Sequence, residues 1–179
     1  MNIKDNRRVK MTKKLIKEAL IDLMDKNNIA RITVKEICAL ADINRSTFYL
    51  HFCDQYALLE EVENDIISQT PRINLYEKKD VYPVLVEFFK FIQENKRVYL
   101  ILFKSSNGNS LRSKLIDKVF GKDENKKEWI SNMELSNDLH FKMLMSAFGG
   151  ATLVEKWIFD EIKSTPEELA KALSEFVKK

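Results

Sequence analysis

Glycine and proline are scarce in this chain, with four and three among 179 residues. So few punctuation residues exclude an all-β fold with frequent tight turns, and they favour long helices with short connections. The glycines, at 108, 121, 149 and 150, form no phosphate-cradling loop. Cysteine is nearly absent too: Cys38 and Cys53 stand in neither a CxxC nor a metal-ligand spacing, which excludes a disulfide scaffold and leaves two reduced intracellular thiols as the expectation. The two histidines, His51 and His140, have no metal spacing around them. No Ser/His/Asp or Cys/His arrangement is identifiable. The expectation is a protein that is not an enzyme and holds no cofactor or metal. Long apolar runs are missing as well. Nothing approaches the roughly 20 residues of a membrane span, and the basic start MNIKDNRRVKMTKK lacks the apolar core of a secretory signal. A cytoplasmic protein with no membrane partner is expected. Hydrophobic residues at 45% and charged residues at 32% are those of a folded globular chain.

What is present is unevenly spread. Residues 1–17 carry seven cations, Lys4, Arg7, Arg8, Lys10, Lys13, Lys14 and Lys17, against Asp5 alone, a net +6; with +3 for the whole chain, residues 18–179 sum to −3. A basic end on a mildly acidic body points to a polyanion at that end, or else to a solvated helix face. Residues 1–10 show no periodicity and read as a flexible basic arm, which either follows a nucleic-acid backbone, reaches into a minor groove, or lies idle. A first helix is predicted from about Thr12, its cap, to about Lys26. Its stripe is Leu15, Ile16, Ala19, Leu20, Leu23 and Met24, with Lys13, Lys14 and Lys17 turned to water or phosphate. Asn27-Asn28 ends it, and Ile29 and Ile32 close the core above the next helix.

Residues 33–52, TVKEICALADINRSTFYLHF, are the centre of the chain. Val34, Ile37, Cys38 and Ala41 recur at helical spacing, then Phe48 and Phe52. Thr33 and Glu36 form a capping box, T-x-x-E, that starts one helix; Thr33 is also placed to meet a phosphate there. Asp42 falls where the turn visits a left-handed conformation, which Asp tolerates at some cost. Asn44 caps the next helix. Its outward side chains, Arg45, Ser46, Thr47, Tyr49 and His51, can bond phosphates or base edges, while Phe48 and Phe52 point inward. One helix braces and the other enters a major groove. His51 is either a structural histidine or a phosphate contact.

The segment Thr33 to Leu59, TVKEICALADINRSTFYLHFCDQYALL, resembles the DNA-binding segment of TetR/AcrR-family bacterial transcriptional regulators. The resemblance rests on Ile37-Cys38-Ala39-Leu40-Ala41, Ile43-Asn44, Ser46-Thr47-Phe48-Tyr49, His51-Phe52 and Ala57-Leu58-Leu59, and with the first helix it covers roughly a third of the chain. It implies DNA-contact roles for Thr33, Arg45, Ser46, Thr47, Tyr49 and His51; Lys14 joins them as a backbone contact. Two departures stand out. Asp42 replaces the family's usual glycine, and Cys53-Asp54-Gln55-Tyr56 replaces a Pro, Ser or Asn, Lys-Glu pattern. Neutral Gln55 releases no counterion where the usual lysine releases about one.

The rest reads as a helical body. A fourth helix from about Asp54, with Leu58, Leu59, Val62, Ile66 and Ile67, connects head and body before Pro71. Further helices are predicted over 80–95, 96–104 and from Ser110, then over 136–162 with Leu139, Met143, Leu144, Ala147, Ala151, Leu153, Val154, Trp157 and Ile158. Gly149-Gly150 would permit a close approach of another helix or a ligand. Thr165-Pro166-Glu167-Glu168 starts the last helix, whose apolar residues are Leu169, Ala172, Leu173, Phe176 and Val177. Phe148 to Ile158, followed by Thr165 to Leu169, resembles the C-terminal domain of a TetR subgroup that includes dihydroxyacetone kinase operon activators. The expected fold is all-α: a helix-turn-helix DNA-binding domain over residues 1–53 and a regulatory and dimerisation domain over residues 54–179. The resemblance implies a homodimer on near-palindromic double-stranded DNA, switched by a small-molecule effector or, alternatively, by a partner protein.

Overall fold

The computed structural model describes residues 3–73, 80–105, 109–120 and 137–178; at 3–6, 109, 119–120, 137–144, 146–147 and 177–178 it describes the backbone only. Among these residues every regular element is helical: α1 (Ile3–Met24), a 3₁₀ turn (Ile29–Arg31), α2 (Val34–Leu40), α3 (Arg45–Tyr49), α4 (Gln55–Gln69), α5 (Tyr82–Glu94), α6 (Lys96–Lys104), α7 (Asn109–Phe120), α8 (Asn137–Ile158) and α9 (Pro166–Lys178). The all-α expectation holds. Two compact units divide between Ile66 and Ile67, inside α4.

In the first unit α1 packs on α2 and α2 on α3. Its core joins Ile16, Ala19, Leu20, Ile21 and Met24 of α1 to Ile29, Ile32, Val34, Ile37, Cys38, Phe48, Phe52, Leu58 and Val62. The expected arm is instead helix: α1 begins at Ile3. Nothing between Ile3 and Thr12 breaks a helix, so the helical turn propagates through the basic residues. Thr12 is therefore an interior residue, its Oγ1 donating to the Arg8 carbonyl at 3.0 Å, rather than a cap. The buried stripe is also rotated. Leu15 is exposed and Ile21 is buried, toward the side on which Lys17 reaches α4.

The joint between α2 and α3 is built as its residues require. Thr33 and Glu36 close the capping box in both directions. At the other end the Ile43 N–H donates to the Cys38 carbonyl at 3.0 Å, and Asp42 stands at φ 52°. This is the helix-ending motif that glycine usually supplies. It recurs at the end of α8, where Glu161 N–H donates to the Lys156 carbonyl at 2.9 Å and Asp160 stands at φ 59°. Asp160 also accepts from the Lys96 ammonium at 2.5 Å, a link between the start of α6 and the end of α8.

In the second unit α5 packs along α9, α7 against α8, and α6 against α5, α7 and α8. Leu85, Phe88, Phe89 and Ile92 form the inner face of α5, as their spacing predicts. Phe89 meets Trp157 edge to face at 5.7 Å, and the Trp157 indole N–H donates to the Ser164 carbonyl at 2.8 Å. Buried Tyr99 and Thr70 share a hydroxyl hydrogen bond of 2.7 Å. Burial pushes the Tyr99 phenol up to about 12, against the opposing effect of that bond.

Three expectations for the body change. Among the described residues Gly149 has nothing within 4 Å of where a Cβ would sit, and at Gly150 the nearest atom, Leu173 Cδ2, is at an ordinary 3.9 Å; no contact between described residues needs either glycine. In α9, Leu169, Ala170 and Ser174 are buried, whereas Ala172 and Phe176 are exposed. The α5-facing stripe lies beside the one these two residues share. Helix α7 starts at Asn109, one residue before the predicted start at Ser110. Residues 121–136, Trp129 and Ile130 among them, and the side chains of Leu139, His140, Met143, Leu144, Ala147 and Val177 lie outside the described residues.

A left-handed backbone costs Asp more than Gly. Asp42→Gly is expected to raise unfolding stability by about 0.5–1 kcal/mol, and Asp42→Val to lower it by a similar amount or more, in urea titrations followed by circular dichroism.

Candidate nucleic-acid interface

Helix α3 has five residues, too few to be stable alone; it is held from both ends and from beneath. Phe48 and Phe52 are buried at 0% and 6% exposure and lie 5.8 Å apart. The Lys13 ammonium of α1 sits 5.5 Å over the Phe52 ring. At the other end Asn44 Oδ1 takes three bonds: from Thr47 N–H at 2.8 Å, Thr47 Oγ1 at 2.8 Å and Ser46 Oγ at 2.6 Å. A hydroxyl has one proton. With both protons spent on Asn44, Ser46 and Thr47 present lone pairs outward, so in this arrangement they accept hydrogen bonds and do not donate them. That suits adenine N6 or cytosine N4 amino groups better than phosphate oxygens.

The other sequence-predicted residues are placed as follows. Arg45 is exposed. Tyr49, 51% exposed, stands edge-on to Phe48 at 5.5 Å and 90°, a contact that restrains its ring. His51 is half-buried and edge-on to Phe52 at 6.3 Å. Thr33 is exposed, but its bonds serve the cap: Oγ1 donates to Glu36 Oε2 at 2.7 Å and accepts from Glu36 N–H at 3.3 Å. The Thr33 side-chain and backbone bonds hold the Glu36 carboxyl below its usual range. A phosphate at Thr33 would therefore meet a carboxylate already in place. Lys14 is exposed on α1, 3.7 Å from Glu18.

Two lysines expected to face water or phosphate do not. Lys13 bonds Glu61 at 3.3 Å, and Lys17 reaches both Glu61 at 3.4 Å and Asp65 at 2.5 Å. They clamp α1 to α4 and are spent inside the protein. Burial by itself would raise the Glu61 carboxyl; the Lys13 bond and the charges of Lys17 and Lys13 outweigh it and hold Glu61 below the usual carboxylate range. At the start of α4, Asp54 Oδ1 accepts from the Tyr56 and Ala57 N–H groups at 2.9 and 2.8 Å. Asp54 thus occupies the amides at this helix start, beside half-buried Gln55 and a Tyr56 that is 51% exposed.

One outward side chain escaped the sequence reading. Leu50 is 80% exposed. Leucine beside two phenylalanines looks like core, yet the spacing held the signal: a residue midway between two inward residues four apart points outward. Cys38 is buried, and burial pushes its thiol up against the opposing charge of Arg45; Cys53 is exposed. Among the described residues no cluster of His, Cys, Asp or Glu could hold a metal ion, and no helix is long and apolar enough to cross a membrane. In the second unit a crevice of about 250 Å³ is lined by Ile92, Lys96, Trp157, Asp160 and Lys163 among others. It is smaller than the roughly 300–1,000 Å³ of ordinary small-molecule sites.

A braced short helix with an outward polar edge, on a helical body, is the architecture of a helix-turn-helix regulator. Comparison with known proteins agrees. Residues 79–179 match the TetR-type family described as the transcriptional regulator C-terminal region, and the chain belongs to the TetR family of transcriptional regulators. Over 97 residues it is 32% identical to the HTH-type dhaKLM operon transcriptional activator DhaS of Lactococcus lactis subsp. lactis (strain IL1403), covering 52% of this chain and 49% of that protein. Over 99 residues it is 27% identical to the uncharacterized HTH-type transcriptional regulator YxbF of Bacillus subtilis (strain 168), covering 49% of this chain and 25% of that protein. The matched regions thus span half or less of these curated relatives. Among solved structures it is similar to a TetR transcriptional regulator from Streptococcus agalactiae 2603V, at 23% identity, TM-score 0.67 and 98% of both chains. It is also similar to the dihydroxyacetone kinase operon activator DhaS, at 23% identity, TM-score 0.59 and 93% of both chains. At these identities the likeness is one of fold.

The depressed Glu61 carboxyl sets a pH dependence. Its contribution is present above the ordinary carboxylate range and lost as pH falls through the lowered value. Glu61→Gln is expected to cost about 0.2–1 kcal/mol at pH 7, after solvent screening. It should cost progressively less below about pH 4.5, as read from urea midpoints across a pH series.

Proposed function

We propose that this chain is a homodimeric, sequence-specific DNA-binding regulator that sets one α3 in each of two major-groove half-sites of a near-palindromic operator. The observation that carries the reading is the exposure of Arg45, Ser46 and Tyr49 on a helix whose Phe48 and Phe52 are buried. Arg45 offers donors for guanine O6 and N7, Ser46 and Thr47 offer acceptors, and Tyr49 offers ring and hydroxyl. The exposed cations of α1, Arg7, Arg8, Lys10 and Lys14, supply phosphate contacts, and Thr33 and His51 complete the expected set. The carboxylate at Asp54 and the neutral Gln55 make the start of α4 a weaker backbone contact than a lysine would.

Dimerisation is assigned to α8 and α9, which expose large apolar side chains: Met145 at 61%, Phe148 at 58% and Phe176 at 46%. A second copy covering these faces forms a four-helix interface. The signal enters through the body over residues 67–179, and α4, whose chain runs across the division between the units, is its covalent route. The effector is a small molecule in this reading and a partner protein in the alternative. Thermal shift against a metabolite set, beside copurification from the native cell, separates them.

The decisive experiment is a gel shift on DNA selected from a random pool, with a salt titration. Salt-independent binding, or no preference over random DNA, overturns the reading. Arg45→Ala is expected to cost about 1–3 kcal/mol per half-site and to relax one base position. Lys14→Ala should weaken binding evenly across sequences and lower the salt slope by about one per subunit. Phe148→Asp should shift the dimer to monomer in sedimentation at micromolar concentration, while far-UV circular dichroism stays helical.

A further inference from the structure

We infer that Leu50 is a specificity-determining residue that reads a thymine 5-methyl group, an assignment that rests on α3 being the groove-entering element. The hydrogen bonds Leu50 N–H to Ser46 carbonyl at 3.2 Å and Phe52 N–H to Phe48 carbonyl at 3.0 Å continue the helical turn past Tyr49 as far as Phe52. At about 100° per residue, Leu50 lies about 200° beyond Phe48 and about 200° before Phe52, on the side of the helix away from both. Those two rings define the inward direction, so Leu50 points opposite the core. Ser46 is one turn before it and Thr47 three residues before it, so all three share the outward face. At 80% exposure it is the most exposed of the large hydrophobic residues on the described surface. It stands at the C-terminal end of α3, between Tyr49 and His51 in the chain.

An isobutyl group there can bond neither a phosphate oxygen nor the polar atoms of a base edge. The apolar feature that distinguishes one base from another in the major groove is the C5 methyl of thymine. Ser46 and Thr47 on the same face offer polar groups, so Leu50 adds the aliphatic contact of this edge beside the Tyr49 ring. The exposed Tyr49 ring is turned edge-on to Phe48 and lies about 100° away around the helix.

The test uses the full chain and an operator selected from random DNA. Each symmetry-related pair of thymines is replaced by uracil, which removes only the methyl group, and affinity is measured for the wild type and for Leu50→Ala. At one thymine pair the wild type should lose about fourfold per half-site, the worth of one buried methyl-sized group, and Leu50→Ala should lose nothing further. Leu50→Gln, carried through a fresh selection, should abandon thymine at that same position while keeping its neighbours. Equal uracil penalties in wild type and Leu50→Ala at every thymine overturn this inference and leave the DNA-reading function standing. Failure of the wild type to enrich any sequence overturns both. Leu50 is solvent-exposed, so unchanged far-UV circular dichroism and melting temperature are expected for both variants.

Discussion

The rest of the DNA-facing unit depends on how a helix of five residues is kept in place. An isolated α3 would not form, because nucleation costs more than its few hydrogen bonds return. Burial of Phe48 and Phe52 supplies the missing stability, at about 1.5–3 kcal/mol for each large side chain. The three bonds onto Asn44 Oδ1 fix the entry. Lys13 over the Phe52 ring ties the exit of α3 to α1. Because the two rings set the rotation of α3 about its own axis, they also decide which side chains face outward. Core packing and recognition are therefore one constraint. A change that rolled α3 by about half a turn would turn Phe48 out and Leu50 in.

The same economy governs charge. The basic N-terminal stretch looks like a single electrostatic patch, but α1 divides it. Lys13 and Lys17 are turned onto Glu61 and Asp65 of α4, while Arg7, Arg8, Lys10 and Lys14 remain on the surface. Partly buried ion pairs resist screening better than exposed ones. The clamp between α1 and α4 is thereby less sensitive to salt than a contact between surface cations and phosphate. Stability of the unit and strength of polyanion binding then respond to ionic strength separately.

Both left-handed residues among those described are aspartates that end helices. Asp42 closes the joint between α2 and α3; Asp160 closes α8 and pairs with Lys96. The first was legible because it breaks a hydrophobic pattern at a known turn. The second lies in Phe159-Asp160-Glu161, where nothing local marks a turn, and its lysine partner is 64 residues away. Leu50 was legible in principle from the spacing of the two phenylalanines, yet its apolar nature argued for the core. The start of α1 was misplaced because a charged stretch without apolar periodicity gives no signal of helix, although nothing in it opposes one.

Local chemistry in the chain determined the helical class, the Thr33–Glu36 capping box, the Asp42 turn, the Asn44 cap and the inward phenylalanines. Each involves groups within about five residues of one another, where backbone geometry permits few alternatives. Tertiary structure alone decided which lysines are spent on α4, where the hydroxyl protons of Ser46 and Thr47 go, and that Tyr99 shares its hydroxyl with Thr70. It also decided that α8 and α9 expose Phe148 and Phe176. For the lysines and Tyr99, pairing depends on residues brought together from 29 to 48 positions apart, and a list of charges and hydroxyls does not say which donor meets which acceptor. For the hydroxyls, it depends on side-chain rotation that residue type leaves open.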